Sequence, residues 1–488
     1  GRTMKKSNRA RRRRRTLILR CLLVLILIIA AIGGFIIWRK YGASDEKADL
    51  EQYYDIENKD EFGVVINNQV VKRNTESQDA ASDSSESLAP GKMYDGQYYV
   101  EYSIVRKRIN KRFYWDSNEN LLLYTLPEGN VSVVPDSKEY TELGETKSED
   151  YVILKTDGTN AYIAIPFLQM YTNLEYTAYE DPARVVITSD WGEIQTAKVK
   201  RNTQIRYQGG VKSPVLTDVK KSDKVTVLED EDAWTKVASE NGMIGYIKTK
   251  ALKDIGKETT SRDFNEPEYT SISKDYKINM VWHNVTNATA NGAVLTNLKS
   301  TKGLTTIAPT WFSLADTEGN ISSLADEDYV KQAHQSGLEV WAVLRDFHGG
   351  INSYDETYEV LSYTSKRQKV IDQVISKALA SGVDGINLDF ELVSSKCGVH
   401  YIQFVRELSA QCRQNQLVLS IDNYVPQPYN QHYDLEEQGA VADYVIIMGY
   451  DEHTDGSYEA GSVASISYLK DGVENALLSV SSDKLIAG

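Results

Sequence analysis

Cysteine is nearly absent, with three among 488 residues. That count excludes the disulfide framework that staples many secreted domains. Cys21 sits in an apolar run, while Cys397 and Cys412 flank a predicted helix about 22 Å long at 1.5 Å per residue, beyond pairing distance. Such a chain suits a bacterial envelope better than a eukaryotic secretory route. Histidine is scarce as well, six in all, and His283 and His453 stand without companion ligands, so neither a metal site nor a cofactor is expected. Past the first twenty positions there is no basic surplus either. Ten of the 55 basic residues fall in that head, and the remainder of a chain of net charge −14 is acidic. A nucleic-acid partner, which needs a basic face to displace phosphate counterions, is excluded.

The basic head, residues 1–16, precedes an apolar segment at 17–38. No charge occurs from Cys21 to Trp38, and Leu17 to Leu19 extend the run past Arg20. About twenty apolar residues are what a bilayer core requires. With basic residues before it and an acidic chain after it, the segment reads as a transmembrane helix, N-terminus inside and everything after Arg39 outside. A cleaved signal peptide is the alternative, with Gly42-Ala43-Ser44 as the place for cleavage and a secreted product as the result.

The expected fold class is multidomain: the transmembrane helix, a small α+β or β module, an SH3-like β-barrel, then a C-terminally truncated TIM (β/α)8 barrel. Residues 39–60 form a polar stalk. The module is expected over 61–190, with a disordered loop at 74–90 whose Ser/Asp/Glu tract cannot bury enough apolar surface to order itself. Two passages there couple an aromatic turn to a β-run, at 113–125 and at 174–187. The module resembles the N-terminal domain of copper amine oxidases, but without a histidine cluster no copper is expected. Residues 192–254 carry short strand patterns that end on Ile244-Gly245-Tyr246-Ile247, and they resemble a bacterial SH3-like domain. That resemblance implies a binder of cell-wall peptide; a spacer packed around Trp234 is the other reading. Residues 255–276 read as a linker.

From 277 to 488, buried runs alternate with helical patterns, which signals βα repeats and a parallel sheet. Strands are expected at 278–283, 305–309, 339–344, 385–390, 417–422, 444–448 and 484–487, and helices at 325–336, 366–381, 399–415 and 463–478. Seven such units point to a TIM-type barrel, whose active site lies at the carboxyl ends of its strands. The fourth strand reads Asp384-Gly385-Ile386-Asn387-Leu388-Asp389-Phe390-Glu391. Its period of two puts Asn387, Asp389 and Glu391 on one face and large apolar residues on the other. Carboxylates inside a barrel cost free energy unless they are paired or used. Asp389 and Glu391 lie side by side on one strand, a poor arrangement for a pair that must flank a sugar, so a different nucleophile is needed.

The segment resembles the DGxDxDxE signature of glycoside hydrolase family 18. The likeness is greatest to its cell-wall and spore-cortex N-acetylglucosaminidases, in which Asn also occurs where many members carry Asp. The resemblance implies a retaining, substrate-assisted reaction in which the 2-acetamido oxygen attacks the anomeric carbon and an oxazolinium forms. Glu391 would be the acid and then the base. Asp389 would hold the acetamido group and, by repulsion, raise Glu391 towards the working pH. Asn387 would hydrogen-bond Asp389 but accept no proton from it. Met448-Gly449-Tyr450-Asp451, after the sixth strand, resembles the family's MxYD motif. It makes Tyr450 a donor to the acetamido oxygen and places Met448 and Asp451 at the sugar. Strand-end residues Trp311, Arg345, Asp346, Asp422, Asn423 and Tyr424 are further candidates for the subsites, Trp311 either by stacking on a sugar ring or by packing in the core.

A barrel of this type spans about 250 residues. Residues 277–488 are therefore expected to stop within the seventh strand, to expose an unpaired edge and to have little activity as they stand. The three residues before Met4 suggest unnatural or upstream sequence at the other end. The expected function is a membrane-anchored extracellular glycosidase that cuts β-1,4 bonds at N-acetylglucosamine, above all in peptidoglycan. Chitin or another N-acetylglucosamine polymer is the alternative substrate. Two readings of another class remain: a non-catalytic wall-glycan binder or scaffold, against which Glu391 speaks, and a sporulation assembly factor acting through residues 60–255.

Overall fold

A computed structural model describes residues 2–73, 87–230, 232–293, 298, 302–450, 461 and 464–488. Most of the loop expected at 74–90 lies outside the described residues, as do Asp451 and His453. The chain divides into two units, residues 1–71 with 175–262 and residues 72–174 with 263–488. The stretch 61–190, expected as one module, is thus shared between them.

The first unit begins with the helix Arg2–Tyr41, long and apolar enough to cross a membrane, with a mean hydropathy of 3.0 over its most apolar window. Antiparallel pairing dominates the rest. Seven strands between Gly192 and Thr260 form one sheet whose core contains Val199, Ile205, Leu216, Val225, Val237 and Ile247, with Tyr54 packed among them. Trp234, expected at the centre of that core, is only half-buried. Alternation along Trp234–Ala238 turns Thr235 and Val237 inward instead. The first part of the expected linker is the last strand of this sheet, Leu252–Thr260.

The second unit holds the barrel-like part. Seven parallel strands follow one another in chain order, each bonded to the next: β1 (Met280–His283), β2 (Thr306–Pro309), β3 (Glu339–Arg345), β4 (Gly385–Asp389), β5 (Val418–Tyr424), β6 (Tyr444–Met448) and β7 (Leu485–Ala487). Among the described residues no ladder joins β1 to β7, so the sheet is an open, TIM-barrel-like arc. Helices cover its outer face: α1 (Glu327–Gln335), α2 (Tyr354–Leu361), α3 (Thr364–Ser381), α4 (Gly398–Gln414), α5 (Leu435–Val441) and α6 (Ile466–Ala476). Helix α3 shows why: Val370, Ile371, Val374, Ile375 and Ala378 recur every three or four residues and are buried, and Gly382 ends the helix in the left-handed region at φ 79°. Sequence patterns do not reveal α2, α5 or the hairpin Phe312–Leu314/Ile321–Ser323 that follows β2 and pairs with β3.

Period two sorts the strands into inner layers. Trp341, Gly385, Val418 and Tyr444 lie at the bottom, where Trp341 stacks on Tyr444 with ring centroids 5.7 Å apart. A Cβ on Gly385 would come within 2.7 Å of the Val418 carbonyl oxygen and 2.9 Å of the Trp341 ring. Gly385→Ala is therefore expected to cost about 1–3 kcal/mol through overpacking, read as a lower urea midpoint of the whole chain.

Residues 91–164 add two small sheets to this unit, and the meander running from Phe113–Asp116 to Glu145–Ser148 joins α3 and α4. Asp116 Oδ2 accepts from the Thr364 N–H at 2.8 Å and its hydroxyl at 2.6 Å, capping α3 from outside. Arg367, fully buried, donates to Glu407 Oε1 at 2.7 Å, to the Leu361 carbonyl at 2.7 Å and to the Tyr114 hydroxyl at 3.0 Å. Arg406 and Arg112 both reach Glu437, each at 2.9 Å. Burial alone would raise Glu437, but these two cations hold it at about 2. Beneath the sheet, the Ile272 N–H donates to Asp443, the Lys274 N–H to the Tyr444 hydroxyl, and the Tyr269 ring lies 4.7 Å from the Arg112 guanidinium and 5.4 Å from that of Arg413.

Candidate active site

The barrel motif separates into two roles. Asp384 sits before β4, where its Oδ2 accepts from the Val340 N–H at 2.8 Å and meets His334 Nε2 at 2.7 Å. It staples β4 to β3 at the amino ends of the strands, away from any chemistry. Asn387, Asp389 and Glu391 climb from there towards the carboxyl ends, on the face that period two predicts.

Asn387 is fully buried, and its amide is spent on neighbours. Nδ2 donates to Ser420 Oγ and to Asp422 Oδ1, both at 2.8 Å, while Oδ1 accepts from Trp282 Nε1 at 3.2 Å. The same indole N–H lies 3.2 Å from Asp422 Oδ2. Trp282 thus ties β1 to β4 and β5. It escapes sequence reasoning because its partners lie 105 and 140 residues away; the one available signal is its place two residues after Met280 on a strand whose alternate positions face inward. The Tyr450 ring packs edge-on to Trp282, centroids 6.4 Å apart, so the tyrosine expected at the sugar does join this cluster. Met448 is buried on the same face of β6.

Among the described residues, the buried Oδ1 of Asp389 has no hydrogen-bond partner. Burial raises its carboxyl far above the usual carboxylate range, and Asp422, Glu391 and Asp346 add to this against the pull of Arg345. Burial likewise raises Asp422, against the hydrogen bonds from Asn387 and Trp282. Asp389 and Asp422 thus disfavour each other's ionisation, as two carboxyl groups sharing one buried site do. Arg345 stands opposite Asp389 in the ladder and donates from Nε to Ser313 Oγ at 3.3 Å. Asp346 is fully buried and bonds the backbone N–H groups of Glu391 and Leu392.

Two candidates fall elsewhere. Trp311 is 1% exposed and packs against Tyr329 with its indole N–H on Asn291 Oδ1 at 2.9 Å, so it is a core residue with no face left for a sugar. Asn423 is one position out of phase: it points to the helix layer and exchanges hydrogen bonds with Gln438 at 2.7 and 2.9 Å. Tyr424 lies at the rim, 37% exposed, beside a groove of about 540 Å³ that Gln427, Tyr433 and Glu436 also line. Asp451 lies outside the described residues. Among the described residues no group of three or more His, Cys, Asp or Glu is placed to hold a metal ion. His283 meets the Tyr329 hydroxyl at 3.0 Å.

Residues 280–486 match Glycosyl hydrolases family 18 and residues 201–253 match the bacterial SH3 domain family. Two proteins of Bacillus subtilis (strain 168) are similar over the barrel. The uncharacterized glycosylase YvbX is 27% identical over 184 residues, covering 36% of this chain and 52% of its own. YdhD, named as a proposed sporulation-specific glycosylase, is 29% identical over 178 residues, 35% of this chain and 41% of its own. The chain thus spans about half the length of the curated relatives it matches. The crystal structure of YdhD aligns with a TM-score of 0.35 at 27% identity, over 37% of this chain and 61% of that one.

Proposed function

We propose, from a family 18 glycosyl hydrolase domain at residues 280–486, that this protein cleaves β-1,4 bonds next to N-acetylglucosamine with the substrate's own acetamido group as nucleophile. The observation that carries the reading is the buried oxygen of Asp389, without a partner among the described residues, beside Glu391 at the carboxyl ends of the strands. An acceptor so placed is costly unless a ligand N–H meets it, and an acetamido N–H is such a donor. Asp389 then orients the group and balances the positive charge that develops as the carbonyl oxygen attacks the anomeric carbon. Tyr450 donates to that oxygen. Glu391 gives its proton to the leaving oxygen and afterwards takes one from water. Asn387 and Asp422 hold the inner end of the site, and Met448, Asp451 and Tyr424 belong to the sugar contacts.

The polymer is assigned as peptidoglycan, because a bacterial SH3 domain and an N-terminal apolar helix precede the barrel in the same chain. In this reading the helix anchors the protein with residues after 39 outside the cell, and residues 192–254 bind wall peptide. The test is reducing-end release from purified peptidoglycan and from chitin, since activity on chitin alone would overturn the peptidoglycan assignment. A fully de-N-acetylated polymer is expected to be cut on the order of a hundredfold or more slowly than its acetylated parent, because the internal nucleophile is gone. Equal rates would remove the substrate-assisted step.

A further inference from the structure

The β3–β4 ladder ends at Arg345 opposite Asp389, two residues short of Glu391. Past that point Glu391 lies outside the strand. Asp346, the next residue beyond β3, takes over with its side chain. Oδ1 accepts from the Glu391 N–H at 3.0 Å and Oδ2 from the Leu392 N–H at 2.9 Å. The Thr357 hydroxyl of α2 donates to Oδ2 at 3.0 Å and locks the carboxyl plane.

We propose that Asp346 is a positioning residue for Glu391, a side-chain continuation of the sheet that holds two successive N–H groups and thereby fixes where the Glu391 carboxyl reaches. The inference rests on the reading of Glu391 as the acid. Asp346 itself touches no sugar: Val343 and Arg345 face inward on β3, and Asp346 is out of phase with them and fully buried. Keeping an acid there is expensive, since burial pushes it up to about 6 in spite of the N–H and hydroxyl donors around it. The groups that bond it are neutral donors: the Glu391 and Leu392 N–H groups and the Thr357 hydroxyl. Asp389, Cys397, Tyr401 and Tyr433 are the titratable groups that act on it, and burial raises every one of them. An apolar residue would fill the volume at less cost, but only a group with two acceptor oxygens in one plane meets two adjacent N–H groups together. Asparagine keeps the shape and turns one acceptor into a donor that opposes an N–H.

Asp346→Asn in the full chain is the test. Amide exchange at Glu391 and Leu392 should quicken about tenfold or more, while Ile386 and Leu388 within β4 keep their rates. On N-acetylglucosamine polymer kcat should fall about tenfold or more with KM changed less than about twofold, the mark of a misplaced acid rather than lost binding. Thr357→Val, which removes only the hydroxyl, should shift both readouts in the same direction by a smaller factor, and it serves if Asp346→Asn fails to fold. Unchanged exchange at Glu391 and Leu392, or unchanged kcat in a variant with quickened exchange, overturns the inference. If the unmodified protein cuts no such polymer, the acid assignment fails and the inference falls with it. If Glu391→Gln abolishes cutting but Asp346→Asn leaves it intact, only the positioning role is lost.

Discussion

Glu391→Gln is expected to lower kcat on N-acetylglucosamine polymer by about 10²- to 10⁴-fold, the range that a positioned general acid contributes. Folding should survive, because the contact that Asp346 makes here is to the backbone N–H, which the substitution keeps. The amide has no proton acidic enough for the leaving oxygen and cannot serve as base towards water. Oligosaccharide binding should persist, since Asp389, Trp282 and Tyr450 are untouched, and fluorescence titration reads it alongside reducing-end release. Undiminished hydrolysis would end the proposed mechanism. Loss of binding together with turnover would recast Glu391 as a recognition group.

Arg367→Met should cost about 3–5 kcal/mol, the loss seen when one partner of a buried ion pair is removed and the other stays charged in place. Arg367 and Glu407 are 0% and 5% exposed at their side chains, so little water is at hand to compensate. Three further acceptors lose their donor at once, on Leu361, Tyr114 and Thr364. The double variant Arg367→Met, Glu407→Leu should be more stable than the single one, because no orphaned charge remains. Urea midpoints of the two variants and the parent decide it, and a loss under about 1 kcal/mol in the single variant would mean that the pair is hydrated and contributes as a surface bridge does.

The strands around the site were legible because each carries a period of two or a buried run bounded by turns. Asn387, Asp389 and Glu391 lie on the face that alternation assigns them. Alternation failed where the chain stops being a simple strand. After β2 it turns into the hairpin at Phe312–Leu314, and the phase that would have put Trp311 at a sugar is lost there. Asn423 follows Asp422 directly, and one step along a strand reverses the face. Trp282 itself and the role of Asp346, a candidate only for a sugar subsite, were beyond reach for another reason, since both depend on which strands become neighbours. The meander on α3 and α4 is the extreme case. Its cap from Asp116 to Thr364 spans 248 positions, and nothing local to either residue announces it.

The strap formed by residues 269–274 determines how force enters the barrel. It runs under the amino ends of the strands, bonded to Asp443 and Tyr444 and clasped at Tyr269 between two guanidinium groups. Within the second unit, a pull applied to the chain at residue 263 therefore loads that floor first, about a strand length from Asp389 and Glu391. The Tyr269 clasp and the pair of backbone bonds must shear before tension reaches β1. Asp389 and Glu391, at the far ends of the strands, keep their geometry for as long as those bonds hold.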